Sequence, residues 1–283
     1  MEAVLDPNEF LDGYLCVRTL NVAHMFPPAT DIAVNMMPML IHCHVDSDND
    51  DSNASNDDSN ASDDDHLYDH FKVDVATLPS TLHSYAPLIN MCIRLFTART
   101  ATRVAFLTID ESWVEEGTSQ RRPGLHTDAH LNPYIQMPAN NEMLLKGGET
   151  NISNVFAWGL SFTVDGGIVV VSTCDNSTAV WDAQVSKPGL LGDCENLRKQ
   201  LENTRNYHVL RRGEVCYMTD MTPHESLPLT TRCYRQFMRI VLGHVDVWYS
   251  KHSTPNPLIN LAEKLPDLII TDQDKFNTCY LLW

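Results

Sequence analysis

Three residues of this chain have the types and placement to bind a metal ion together. Arg122-Pro123-Gly124-Leu125-His126-Thr127-Asp128 ends a loop and runs into an extended segment. Residues two apart in a strand point to the same face, so His126 and Asp128 project side by side. An imidazole beside a hard carboxylate supplies two ligands from one rigid edge. His224, in Asp220-Met221-Thr222-Pro223-His224-Glu225-Ser226, would complete the set. Two imidazoles and one carboxylate on one face are the donors of a facial-triad Fe(II) site, which leaves positions open for oxygen and a co-substrate. His-x-Asp alone arises often by chance, and taken by itself an ordinary surface pair is the commoner outcome. The weight of the reading rests on residues further along the chain.

Gly213-Glu214-Val215-Cys216-Tyr217-Met218 reads as a turn and strand leading to His224, and Arg235 comes eleven residues after that histidine. Arg235, Phe237 and Arg239 fall on one face of a second strand, Tyr234 to Val247. A guanidinium directed into a β-barrel core is costly unless an anion meets it, and the natural partner is a carboxylate held by two parallel hydrogen bonds. Asp220 fits a turn-orienting role before His224. Trp158, Trp181 and Trp248 read as core or rim aromatics, one of which could wall a pocket. Ser172 with Asn176-Ser177 could be polar pocket groups or an ordinary turn.

The elements around these residues are mostly short and β-like. Ile32 to His44, Phe71 to Val75, Val104 to Ile109, Val155 to Val164, Ile168 to Thr173 and Gly213 to Thr219 carry strand-like runs. Asp165-Gly166-Gly167 reads as a hairpin cap, and Ala179 to Val185 alternates. Two helices interrupt the series. One lies within Leu82 to Phe96, starting near Pro87, with Leu88, Met91, Cys92 and Leu95 at helical spacing. The other spans Cys194 to Leu201, with Asp193 as N-cap. The pattern predicts an all-β barrel or jelly roll with helical additions.

The 283 residues fit one domain, and 43% hydrophobic residues suffice for a core. The net charge of −17 is unevenly placed: nine Asp and no Lys or Arg lie between Asp46 and Asp65, and without them 28 acids face 20 bases. That segment repeats Asp-Asp-Ser-Asn-Ala-Ser, lacks large apolar side chains and reads as a disordered acidic insert at 46–65. Its Asp and Asn oxygens would suit a hard cation, but the central Gly and closing Glu of an EF-hand loop are missing. Neither part offers the basic surface that supplies most affinity for a phosphate backbone, so nucleic acid is a poor candidate partner. No apolar run approaches the roughly 20 residues of a membrane helix, and the acidic N-terminal segment does not resemble a signal peptide, which predicts a soluble intracellular protein, cytoplasmic or nuclear. The eight scattered cysteines form no CxxC pair and predict free thiols rather than disulfides.

The order His126-x-Asp128, Gly-Glu and a strand, His224, then Arg235 resembles the Fe(II)/2-oxoglutarate-dependent dioxygenases, most nearly the phytanoyl-CoA hydroxylase and prolyl hydroxylase type. The segments GLHTDAH, GEVCYMTDMTPHESLPL and YRQFMRIVL carry the likeness. Gly167 to Asp182, Val247-Trp248-Tyr249 and His252-Ser253-Thr254-Pro255-Asn256-Pro257 are similar to stretches expected in one subfamily of such proteins. The resemblance covers roughly residues 103–257, the core of a single domain spanning 1–283. It implies a mainly β fold with a double-stranded β-helix (jelly-roll, cupin-like) core and flanking helices. It further implies Fe(II) on His126, Asp128 and His224, and 2-oxoglutarate as co-substrate with its distal carboxylate on Arg235. Ascorbate is a candidate reductant, and the substrate hydroxylated would be a small molecule or a protein side chain. Arg239 is the second choice for the anchor and Arg232 a competitor, while His130 extends the alternation and opens a different ligand set. Two other readings stand beside this one: an iron oxygenase that does not use 2-oxoglutarate, and a non-catalytic β-barrel binding protein that makes contacts through the acidic insert.

Overall fold

The computed structural model describes residues 4–5, 16–43, 71–93, 104–128, 167–189, 191–202, 207–242, 245 and 247–274. The expected strand Val155–Val164, the Asp165-Gly166 part of the hairpin cap, His130, Trp158 and the acidic insert lie outside these residues. In chain order the strands are β1 (Val4–Leu5), β2 (Cys16–Asn21), β3 (Ala33–Cys43), β4 (Phe71–Val73), β5 (Val104–Val114), β6 (Gly167–Ser172) and β7 (Thr178–Trp181). They continue with β8 (Val185–Lys187), β9 (Tyr207–Val209), β10 (Glu214–Met218), β11 (His224–Ser226), β12 (Cys233–Leu242), β13 (Val247–Tyr249) and β14 (Ile269–Thr271). Among the described residues three short α-helices accompany them: α1 (Ala86–Ile93), α2 (Arg198–Glu202) and α3 (Leu261–Lys264). None is long and apolar enough to cross a membrane.

The protein is mainly β, and its sheets are antiparallel apart from the small β13–β14 pair. Seven strands form one sheet in the order β2-β10-β6-β12-β5-β3-β4, and three form another in the order β11-β7-β9. Strand β12 lies centrally, pairing with β5 from Cys233 to Val241 and with β6 from Phe237 to Leu242.

The two faces of the large sheet divide by parity. Ala105, Leu107 and Ile109 of β5, Val169 and Val171 of β6, and Met238 and Ile240 of β12 pack in one core with Leu88, Ile89, Cys92 and Ile93 of α1. Their neighbours Phe106, Ile168, Val170, Phe237 and Val241 pack in a second core that includes Val180 of the three-stranded sheet. Because α1 covers one face and the small sheet the other, β6 is buried along its whole length. Burial on both faces replaces hydrophobic alternation with continuous apolar runs, and β7, expected to alternate, is likewise buried throughout.

The helix near Pro87 forms as expected, preceded by a 3-10 stretch, Ser80–Tyr85. The one expected over Cys194–Leu201 begins instead as a 3-10 turn, Glu195–Leu197, and becomes α-helical only at Arg198. Its N-cap is Cys194, not Asp193 as expected, although Asp193 Oδ1 accepts from Glu195 N at 2.9 Å just upstream. The cysteine expectation needs correction: Cys174 and Cys233 are paired as a disulfide, while Cys92, Cys194 and Cys216 are buried outside that pair. The pair joins the β6–β7 turn to the start of β12, a tertiary neighbourhood that spacing in the sequence does not reveal.

Candidate metal centre

The segment carrying His126 is held on both sides by backbone pairing. His126 N donates to His224 O (3.0 Å) and His224 N donates back to His126 O (2.8 Å). On the other side Thr127 N donates to Gly192 O and Cys194 N to Leu125 O, both at 2.9 Å. Gly124, just upstream, has φ 81, a left-handed conformation that glycine adopts without a Cβ penalty. Its carbonyl is turned back to accept from His126 Nδ1 at 2.7 Å.

His224 is oriented in the same way, with Nδ1 donating to Thr222 O at 2.9 Å. A carbonyl can only accept, so in both rings the proton sits on Nδ1 and Nε2 keeps its lone pair for a metal. Burial, the neighbouring His224 and Arg122 together push the His126 pKa down to about 3, against the smaller opposing pull of Asp128. The ring is therefore neutral, the form that ligates.

Asp128 completes the group. The ligand atoms of His126, Asp128 and His224 all lie within 4.8 Å of one another, and among the described residues this is the one such cluster. These three residues could hold a metal ion. The fit is more than proximity, because both imidazoles present a bare nitrogen and the carboxylate is fixed by Arg239, whose Nη1 lies 3.1 Å from Asp128 Oδ2. Arg239, the second choice as anchor, thus sits against the carboxylate of Asp128. Arg232, the third arginine weighed, does not line the cavity. It stands exposed at the surface, 2.8 Å from Glu115 and over the Trp113 ring at 4.2 Å.

Arg235 lies where its strand parity predicts. It is 1% exposed and donates from Nε to Ser172 Oγ (2.9 Å), from Nη2 to Thr178 Oγ1 (3.2 Å) and from Nη1 to Ser226 Oγ (3.4 Å). These hydroxyls come from β6, β7 and β11, so the guanidinium spans the two sheets. All three are neutral, and among the described residues no carboxylate forms a salt bridge with it. Burial, with Arg121 nearby and partly offset by Asp110, pushes its pKa down to about 10.

His126, Asp128, His224, Arg235, Phe237 and Arg239 line one cavity of about 120 Å³, walled on its apolar side by Val170 and Met218. Of the polar residues weighed from sequence, Ser172 holds Arg235, whereas Asn176 (φ 55) and Ser177 form a turn. Trp181 and Trp248 are buried in the cores and do not wall the cavity, and Phe237 is the aromatic that does. Asp220 is a partly buried carboxyl before the strand of His224, its pKa pushed up to about 6 by burial and by Asp128.

Several cavity residues escape a reading of the sequence. Asn35 and Thr178 come from strands with no motif of their own, and Asn35 reaches the site because β3 shifts register between Val34 and Met37. Thr254, from the expected His252–Pro257 stretch, braces that irregularity by donating through its amide to Asn35 O at 2.7 Å. Ser226 lies two residues after His224 and Arg121 one residue before the His126 segment, but neither position demanded a role. Glu225 also borders the cavity and is tied by Arg198 through a two-pronged pair at 3.0 and 2.8 Å.

The fold and site thus define a mainly β protein with a His-Asp-His cluster able to hold a metal ion. No family model matches the chain, and neither a curated protein nor a solved structure matches it.

Proposed function

We propose that this protein is an Fe(II)- and 2-oxoglutarate-dependent oxygenase that hydroxylates a small molecule or a protein side chain. One observation carries the reading: a His-Asp-His cluster and a buried arginine that forms no salt bridge with a carboxylate among the described residues line the same cavity. The strand arrangement supports a double-stranded β-helix core. The order β5-β12-β6-β10 forms one layer, and the His126 segment bridges to β11-β7-β9 in the other. Along the chain these eight segments pass between layers in the sequence large, small, large, small, small, large, small, large, as a jelly roll requires.

Bound at His126, Asp128 and His224, Fe(II) supplies oxygen activation coupled to oxidative decarboxylation of the 2-oxo acid. The chain's own residues bind and orient. The carbonyls of Gly124 and Thr222 hold the two imidazoles in the ligating tautomer. Arg239 restrains Asp128. Arg235, aimed by Ser172, Thr178 and Ser226, receives the distal carboxylate, which supplies the anion that its burial lacks. Val170, Met218 and Phe237 exclude water from the wall beside it.

The test is conversion of 2-oxoglutarate to succinate by anaerobically Fe(II)-reconstituted protein on admission of oxygen. His224→Ala and Asp128→Ala variants should lose that turnover, and activity surviving in either would sink the assignment. An iron oxygenase that does not use 2-oxoglutarate would instead show Arg235→Ala leaving 2-oxoglutarate affinity unchanged.

A further inference from the structure

Arg121 is the cavity residue whose position the three-ligand site does not explain. It precedes the His126 segment and lines the same cavity as Arg235. Both guanidiniums pack against Phe237, with their carbons 5.6 Å (Arg121) and 5.1 Å (Arg235) from the ring centroid. Ser226 links the two, its Oγ accepting from Arg121 N and from Arg235 Nη1, each at 3.4 Å. The one carboxylate paired with either among the described residues is Asp110, at a loose 3.5 Å from Arg121 Nη1. Two like charges side by side in a partly desolvated wall repel one another, and a single distant carboxylate does not offset that. An anion received between them would. The His126, Asp128 and His224 cluster lines the same cavity as both guanidiniums, so a dicarboxylate held at the cluster would lie within that cavity.

Resting on the oxygenase reading, we propose that Arg121 is a second anchor, with Arg235, for the distal carboxylate of the 2-oxo acid. The two-arginine wall makes the site selective for a 2-oxo dicarboxylate over a 2-oxo monocarboxylate. The loose Asp110 contact allows the Arg121 head to turn to the ligand, while Phe237 keeps both guanidiniums on the cavity side.

Calorimetric titration of Mn(II)-loaded full-length protein with 2-oxoglutarate and with 2-oxobutyrate, which lacks the distal carboxylate, tests this without turnover. Loss of one charge-assisted hydrogen-bonding group predicts that Arg121→Gln binds 2-oxoglutarate about 10- to 100-fold more weakly. Its affinity for 2-oxobutyrate should change less than about twofold, within the scatter of an unrelated surface change. Arg121→Lys, which keeps the charge, should retain most of the preference and guards against a variant that merely misfolds. Equal weakening toward both acids, or no weakening toward 2-oxoglutarate, overturns the second anchor while leaving the oxygenase reading intact. Failure of the unaltered protein to bind 2-oxoglutarate overturns both.

Discussion

His126 and His224 exchange both of their backbone hydrogen bonds, and their imidazole rings stand with centroids 4.6 Å apart. The two rings thus stand on directly opposed partners across an antiparallel bridge, and main-chain pairing sets their spacing.

Removing one ring should therefore cost metal binding without undoing the bridge. His224→Ala is expected to weaken Mn(II) affinity by more than the ~10- to 100-fold typical of losing an outer partner of a ligand. The circular dichroism spectrum should be unchanged. Calorimetry with Mn(II) under anaerobic conditions checks this, and near-native affinity would exclude His224 as a ligand.

Arg235 makes the opposite prediction for stability. A buried guanidinium held, among the described residues, by three hydroxyls carries a desolvation cost that apolar replacement relieves. Arg235→Met should therefore keep or raise the Tm, while 2-oxoglutarate affinity falls about 100-fold, the upper range for a lost hydrogen-bonding charge. A Tm well below that of the parent protein would show that the arginine is structural.

On the far face of the same strands, Glu111 is a buried carboxylate held by donors alone. Burial opposes its charge, but Tyr85 Oη, Gln236 Nε2 at 2.9 Å and the amides of Thr30 (2.7 Å) and Ile32 (3.1 Å) hold its pKa below the usual carboxylate range. Tyr85→Phe strips one of these donors and should cost about 1–3 kcal/mol in urea denaturation. Mn(II) affinity should not move, since the network lies across the sheet from the cavity.

Two groups give the metal-free protein opposing pH limbs. His126 has a folded pKa of about 3 against an ordinary 6.5, so the unfolded chain takes up the proton first. The stability it contributes is present above about pH 6.5 and is lost as pH falls toward 3. Asp220 is raised to about 6 from 3.8, so its contribution is present below about pH 3.8 and is lost as pH rises through 6. Tm profiles from pH 4 to 8 should show His126→Asn flattening the acid limb and Asp220→Asn raising the Tm at pH 7. Parallel profiles for all three proteins would refute both assignments.

Much of the site can be read along the chain because strand parity is local. His126 and Asp128 project together, and Arg235, Phe237 and Arg239 share a face, for the same two-residue geometric reason. The Gly124 and Gly213 turns before these strands are local as well, since left-handed backbone favours glycine (φ 81 and 70). The β-rich character and the helix at Pro87 follow from composition and periodicity within short windows.

Local pattern could not rank the arginines. Arg239 and Arg235 have the same parity, and only the crossing of β12 under the His126 segment puts one against Asp128 and the other among three neutral hydroxyls. Ser172, Thr178 and Ser226 converge on Arg235 from three strands, and Cys174 meets Cys233 across a turn, through pairings that no spacing in the chain records. The residue types and their alternation belong to the sequence, because they depend on backbone geometry over a few residues. Which charge meets which partner belongs to the tertiary structure, because Coulomb and hydrogen-bond energies depend on distances that only the packing of two sheets brings about.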